Sequence, residues 1–231
     1  MEAEGRSLRD GEIPETVLGA VQARLDTFGP DAKLVLRAAS VFGQTFRPDG
    51  VRALLDRGRR QDVEHWLGIL EKKEIVYASG EHDEYLFRHA LLREAAYDLL
   101  PAEERRLGHQ LAGQFLEHAG QRDGTVLADH FERGGVHARA IHWLTVAAEQ
   151  ALAANDLLEA IGRVERATRL GASGEDRCAL RLIESWARYW RGEYREAEDA
   201  ARDATKTKDT KKKLEATTAL LDALAGSPDR G

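Results

Sequence analysis

Apolar residues recur at spacings of three and four along most of this chain, which is the period of a helix with one face buried. Val17, Leu18, Val21 and Leu25 predict a helix over 14–28, begun by Pro14 and stopped by Gly29 and Pro30. Leu34, Val35, Ala38 and Val41 predict a second over 31–41, ended by Gly43, so the two form a helical hairpin with Phe42 and Phe46 packed beneath its turn. Pro48 opens a third helix through Val51, Leu54 and Leu55, which breaks near Gly58. Val63, Trp66, Leu67 and Leu70 form the buried stripe of a fourth over 61–73. The period then changes. Ile75-Val76-Tyr77 and Tyr85-Leu86-Phe87 are β-branched or aromatic runs separated by Gly80, Glu81, His82 and Asp83, which predicts a single β-hairpin. Helical spacing resumes over 90–100 with Leu91, Leu92, Ala95, Ala96 and Leu99, and continues through Leu107, Leu111, Phe115 and Leu116 toward Gly120.

The second half reads as helix throughout and carries a weak internal repeat. Asn155-Asp156-Leu157-Leu158-Glu159-Ala160 and Gly192-Glu193-Tyr194-Arg195-Glu196-Ala197 share a turn-forming residue, an acid, an apolar residue and a closing Glu-Ala, at an offset of 37 positions. Each is predicted to mark the turn between two antiparallel helices. Gly135 to Ala140 echoes the turn only 20 positions before Asn155, so it must share a helix with its successor. Stacked helix pairs bury faces that no pair buries alone, and they leave a surface suited to a partner. The expected architecture is mainly α: a winged-helix domain with one β-hairpin followed by an α-helical TPR-like solenoid. Its expected parts are a polar leader over 1–12, the winged helix over 13–100 and the repeats over 101–231.

Composition narrows the function. The chain has 231 residues, 42% hydrophobic and 32% charged, the balance of a folded protein. No apolar run approaches the roughly 18 to 20 residues that cross a bilayer, and Met1 to Asp10 lacks the apolar centre of a signal peptide, so a cytoplasmic location without membrane contact is expected. The single cysteine, Cys178, forms no internal disulfide and is expected at a core or boundary position. A net charge of −6 argues against general nucleic-acid binding. Two basic clusters, Arg57, Arg59 and Arg60, and Lys206, Lys208, Lys211, Lys212 and Lys213, read as solvated surface.

The stretches Ile13 to Val17, Ala23 to Asp26, Leu36 to Gly43 with Phe46, and above all Phe87-Arg88-His89-Ala90-Leu91-Leu92-Arg93-Glu94-Ala95-Ala96-Tyr97 resemble the winged-helix segment of bacterial STAND-type signalling ATPases. The later repeats look like the tetratricopeptide sensor region of such proteins, and the resemblance spans roughly 12 to 207. It implies that nucleotide is held by an upstream P-loop domain and that His89 reaches back to the phosphates of bound ADP. Arg88 and Ala90 depart from the Met-His-Asp form of plant and animal relatives, and the alternative role for His89 is to cap the following helix or pair with a local acid. The chain itself contains no Gly-x-x-x-x-Gly-Lys-Ser/Thr, so it is expected to bind no cofactor of its own and to meet ATP or ADP only through that upstream domain. The helical pattern from Leu214 to Leu224, close to the end at Gly231, favours a fragment of a longer protein, with a stand-alone regulatory descendant as the other reading.

Catalytic chemistry finds no footing in the residue pattern. None of the eight histidines lies in a His-Glu-x-x-His arrangement; His137 and His142 are five apart and face away from each other; Asp129 and His130 have no nucleophile placed by sequence. Trp143, Trp186 and Trp190 read as core between stacked repeats, with a ligand pocket as the alternative. The expected function is a non-catalytic regulatory and protein-interaction module. Its expected partners are a nucleotide-binding domain, in cis or in trans, and an unknown protein on the repeats. The other reading, a DNA-binding transcriptional regulator, is disfavoured because Asp62, Glu64, Glu71 and Glu74 outweigh Lys72 and Lys73 on the would-be recognition helix, and the hairpin adds Glu81, Asp83 and Glu84.

Overall fold

The computed structural model describes residues 15–80 and 83–206, and beyond these 211, 215–219, 222 and 225; the side chains of 15–18 and 20 are not included. The leader, Pro14, the turn residues Glu81 and His82, the lysines at 208, 212 and 213, and most of the last helical pattern lie outside the described residues. The chain is mainly helical and divides into two compact units, Met1–Ala112 and Gly113–Gly231.

In the first unit the elements run α1 (Glu15–Asp26), α2 (Pro30–Phe42), β1 (Thr45–Phe46), α3 (Pro48–Leu54), a 3-10 turn (Arg57–Asp62), α4 (Val63–Lys72), β2 (Val76–Ala78), β3 (Tyr85–Phe87), α5 (Ala90–Asp98) and the start of α6 (Ala102–His118). Pro30 opens α2, and Gly43, at φ 111°, closes it in a conformation that a Cβ would strain. The expected hairpin is present, with Val76 opposite Phe87 and Ala78 opposite Tyr85. One difference concerns the sheet. It has three strands in the order β1-β3-β2, because Thr45 and Phe46 pair with Leu86 and Tyr85 on the other edge of β3. Another concerns Gln61 and Asp62, which belong to the 3-10 turn instead of α4. The core gathers the buried faces of the helices: Leu25, Leu36, Val51, Val63, Leu67, Leu70, Ile75 and Phe87 are all at most 2% exposed. Phe46 packs on Phe87 at 5.4 Å and on Tyr85 at 6.0 Å between ring centroids, so the short strand brings an aromatic anchor to the sheet.

The second unit holds the end of α6 and then α7 (Gly124–Arg133), α8 (His137–Ala153), α9 (Leu157–Arg169), α10 (Gly174–Trp190) and α11 (Tyr194–Ala204). The hexapeptides fall at the α8/α9 and α10/α11 turns, and α8 is the helix shared with the echo at Gly135. One stop signal ends each of α6 to α10. Gly120, Gly135, Asn155, Gly171 and Gly192 all take positive φ, between 59° and 93°. The next N–H in each case bonds back five residues: Gln121 to Leu116, Val136 to Phe131, Asp156 to Ala151, Ala172 to Ala167 and Glu193 to Arg188, at 2.8–3.2 Å. This left-handed closure satisfies carbonyls the helix end would orphan, and glycine or asparagine meets it at least cost. Side-chain caps restart two helices. Asp123 accepts from the Thr125 and Val126 N–H groups, and Asp156 from Glu159. Asp123→Ala is therefore expected to cost about 1 kcal/mol, read as a lower urea midpoint.

Helix contacts in this unit are close. Ala197, Ala200, Ala201 and Ala204 give α11 a face of small side chains, and the Ser185 hydroxyl donates to the Ala197 carbonyl at 2.9 Å. Glu184, 7% exposed, is held between Arg181 and Arg188, while Arg166 of α9 reaches both Asp129 and Glu132 of α7 at 2.5 and 2.6 Å. Removing Arg181 and Arg188 would leave the buried Glu184 carboxylate poorly hydrated, whereas Asp129 and Glu132 are about a third or more exposed and their pairs with Arg166 contribute little. Among the described residues no helix is long and apolar enough to cross a membrane.

Candidate functional site

The junction of β3 and α5 holds the one residue singled out for contact with a ligand. Its backbone is clamped from two sides. The Phe87 N–H donates to the Gln44 carbonyl at 3.0 Å, the Gln44 side-chain amide donates back to the Phe87 carbonyl, and the Arg88 N–H donates to the Ile75 carbonyl at 2.9 Å. Phe87 is buried beneath, and His89 follows with extended backbone at φ −139° and ψ 142°. The imidazole is exposed and stands immediately before the first turn of α5. Its own carbonyl accepts from the Leu92 N–H at 3.0 Å, but its side chain makes no capping hydrogen bond. The capping alternative for His89 is not realised, although its extended backbone is the usual one for an N-cap residue: imidazole is not among the short oxygen-bearing side chains that bond the N–H groups of a first turn.

Around His89 the junction is basic but internally engaged. Arg88 lies 3.8 Å from Glu74 and over the Tyr77 ring at 5.9 Å. Tyr97, near the end of α5, is flanked by Arg93 and Arg105 at 5.9 and 4.8 Å, and its hydroxyl meets Nε2 of the buried His109 at 2.8 Å. What this region offers an anion is one exposed imidazole and the leading N–H groups of α5, favourable for phosphate but far short of a cradle. A nucleotide would need most of its contacts from elsewhere.

The acidic residues of α4 and of the β2–β3 hairpin are tied into the fold. Glu64 pairs with Arg52, and Glu71 Oε1 accepts from the Ala78 N–H at 3.2 Å, bracing the hairpin against α4. Burial, with Glu71 and Asp83 nearby, raises the Tyr85 pKa above its ordinary value. Arg57, Arg59 and Arg60 are exposed as expected, Arg60 donating to the Leu55 carbonyl at 2.9 Å.

The tryptophans divide. Trp143 is buried and its indole N–H donates to Glu117 at 3.2 Å; Trp186 is half-buried. Trp190 corrects the core expectation. It is 67% exposed, because it is the last residue of α10 and no following helical turn covers it; Tyr189 stacks edge-on at 5.5 Å. Cys178 is half-buried at a boundary. Among the described residues no group of three His, Cys, Asp or Glu is disposed to hold a metal.

His130 is a buried titrating group on α7. Burial, reinforced by Arg133 and opposed by Asp129, lowers its pKa to about 4. The unfolded chain takes up that proton near 6.5 and the folded chain only near 4, so stability is complete above pH 6.5 and falls as the pH drops across that window. Urea unfolding is expected to show a loss of about 2 kcal/mol between pH 7 and 5, reduced in His130→Gln; an equal pH dependence in both proteins would refute the assignment.

Elsewhere, Asp203 is pulled upward by burial, yet hydrogen bonds from Lys206 and Arg177 outweigh it and hold its pKa below the ordinary value. This belongs to packing of α11 on α10. No family model, no curated protein and no solved structure matches the chain.

Proposed function

We propose that the chain is a non-catalytic regulatory module of a signalling ATPase of the STAND type. On this reading the first unit is a winged helix that docks on a nucleotide-binding domain, and the second is a set of tetratricopeptide-like repeats that sense a protein partner, both in the cytoplasm. The observation that carries it is the succession α2, β1, α3, α4, β2, β3 with sheet order β1-β3-β2, the plan of a winged helix, leading straight into an exposed His89. Two helical hairpins whose turns lie 37 positions apart support the repeat reading. The residues present favour docking over chemistry: His89 supplies one phosphate contact, and the nucleotide's cradle comes from the neighbouring domain.

The test pairs the purified chain with a P-loop domain encoded in the same or the adjoining reading frame. Binding is expected to be tighter with ADP than without nucleotide, and His89→Ala should remove that difference while leaving the urea midpoint in place, since the ring is exposed. The chain alone should turn over no ATP. Turnover by a clean preparation, or a salt-dependent shift of duplex DNA in a gel, would replace this reading with an enzyme or a transcription factor.

A further inference from the structure

A cleft of about 120 Å³ opens among α2, α3 and α6 in the first unit. Leu34, Val41, Leu54, Leu100, Leu107 and Leu111 make most of its wall, and its only charged lining residues are Arg37 and Glu104. Leu107 is 55% exposed at this wall, an apolar side chain the fold itself does not cover. A cavity of roughly 150 Å³ with such a lining admits a benzene ring, so this one suits a single small ring or a short branched chain.

Arg37 gives the cleft a polar end. One guanidinium nitrogen, Nη2, pairs with Glu104, whereas Nε is buried and has no hydrogen-bond partner. Half of the planar donor fork is therefore unused in surroundings that keep water from it, and a buried donor left unmade carries its desolvation cost uncompensated. Carboxylates fill such a fork with two parallel bonds. Glu104 makes only the one, through a side chain that is 53% exposed at the first turn of α6, and it can swing into solvent at little cost.

We propose that this cleft binds a small hydrophobic carboxylic acid, the apolar body among the leucines and the carboxylate on Arg37 in place of Glu104. Glu104 then acts as an internal competitor that holds the guanidinium while the cleft has no ligand. The size of the cleft selects one ring or about five carbons, and the fork selects a carboxylate over an alcohol or amide of the same shape. Nothing in this assignment depends on the docking role of His89, which lies on a different element.

Titration of the full chain with benzoate and with neutral benzyl alcohol, followed by amide chemical shifts, tests it. Benzoate is expected to saturate at millimolar concentration with shifts centred on α2, α3 and α6, and to bind about tenfold more tightly than benzyl alcohol. Glu104→Gln removes the competitor and should tighten benzoate about threefold or more. Arg37→Met, which keeps the apolar stem, should bring benzoate down to the affinity of the alcohol. If Arg37→Met does not fold, Glu104→Gln decides, since its side chain is half in solvent. The proposal fails if benzoate and benzyl alcohol bind wild type alike, if neither shifts those helices at tens of millimolar, or if Glu104→Gln leaves benzoate affinity unchanged.

Discussion

Gly124→Ala is expected to destabilise the second unit by about 3 kcal/mol or more, although it adds a single methyl group. Gly124 is the first residue of α7, and a Cβ there would stand 2.6 Å from the Ala147 nitrogen and 2.8 Å from the Trp143 carbonyl oxygen. Both are backbone atoms inside α8, so no rotamer change relieves the clash; α7 must shift away as a body. That shift also pulls the Gly124 N–H from Gln150, whose amide meanwhile donates to the Arg122 carbonyl at 2.7 Å. The backbone of Gly124 needs no positive φ, so the whole effect is steric. Urea denaturation followed by tryptophan fluorescence reports it directly, since Trp143, Trp186 and Trp190 all lie in this unit. A midpoint equal to wild type would mean that α7 and α8 do not pack this closely.

Phe87→Ala should cost about 3–5 kcal/mol in the first unit. Phe87 is 1% exposed, packs against Phe46, and is the central-strand residue whose neighbours on both sides clamp the chain leading to His89. Removing the ring opens a cavity beneath that junction and frees its backbone. Amide NMR signals followed residue by residue through a urea titration separate the transition of this unit, residues 1–112, from that of the second. Phe87→Leu, which keeps most of the volume, is expected to remain folded at a cost nearer 1 kcal/mol. If the alanine variant unfolds at the wild-type midpoint, Phe87 is not the anchor of the sheet.

The two substitutions differ in how far the chain announces them. Phe87 closes an aromatic strand run, and its burial follows from the pattern. Gly124 follows Asp123 and looks like an ordinary turn glycine; only the approach of α8 explains why no side chain fits. The same division runs through the candidate site. His89 is exposed and set between strand and helix, as its place before Ala90 suggests, but that its side chain makes no capping bond is visible only in the structure.

Local order was legible because it is written in short-range terms. A 3.6-residue period gives each helix its buried stripe, and the aromatic triplets mark the hairpin. The hexapeptides at Asn155 and Gly192 mark two turns because a left-handed residue must sit there. Strand β1 has no such local signal: two residues cannot display an alternation, and Thr45 and Phe46 become a strand only through β3. The exposure of Trp190 has none either, since periodicity assigns a face but not whether anything lies over it.

By itself the sequence determined that the chain is mainly helical and where most helices start and stop. Tertiary structure alone decided the third strand, the division at Ala112, the glycine contact between α7 and α8, and the pairing of Arg37 with a glutamate 67 positions away. The reason is range: periodicity, caps and turn residues act within a few positions, whereas a cleft is made by side chains that meet only after the helices have packed.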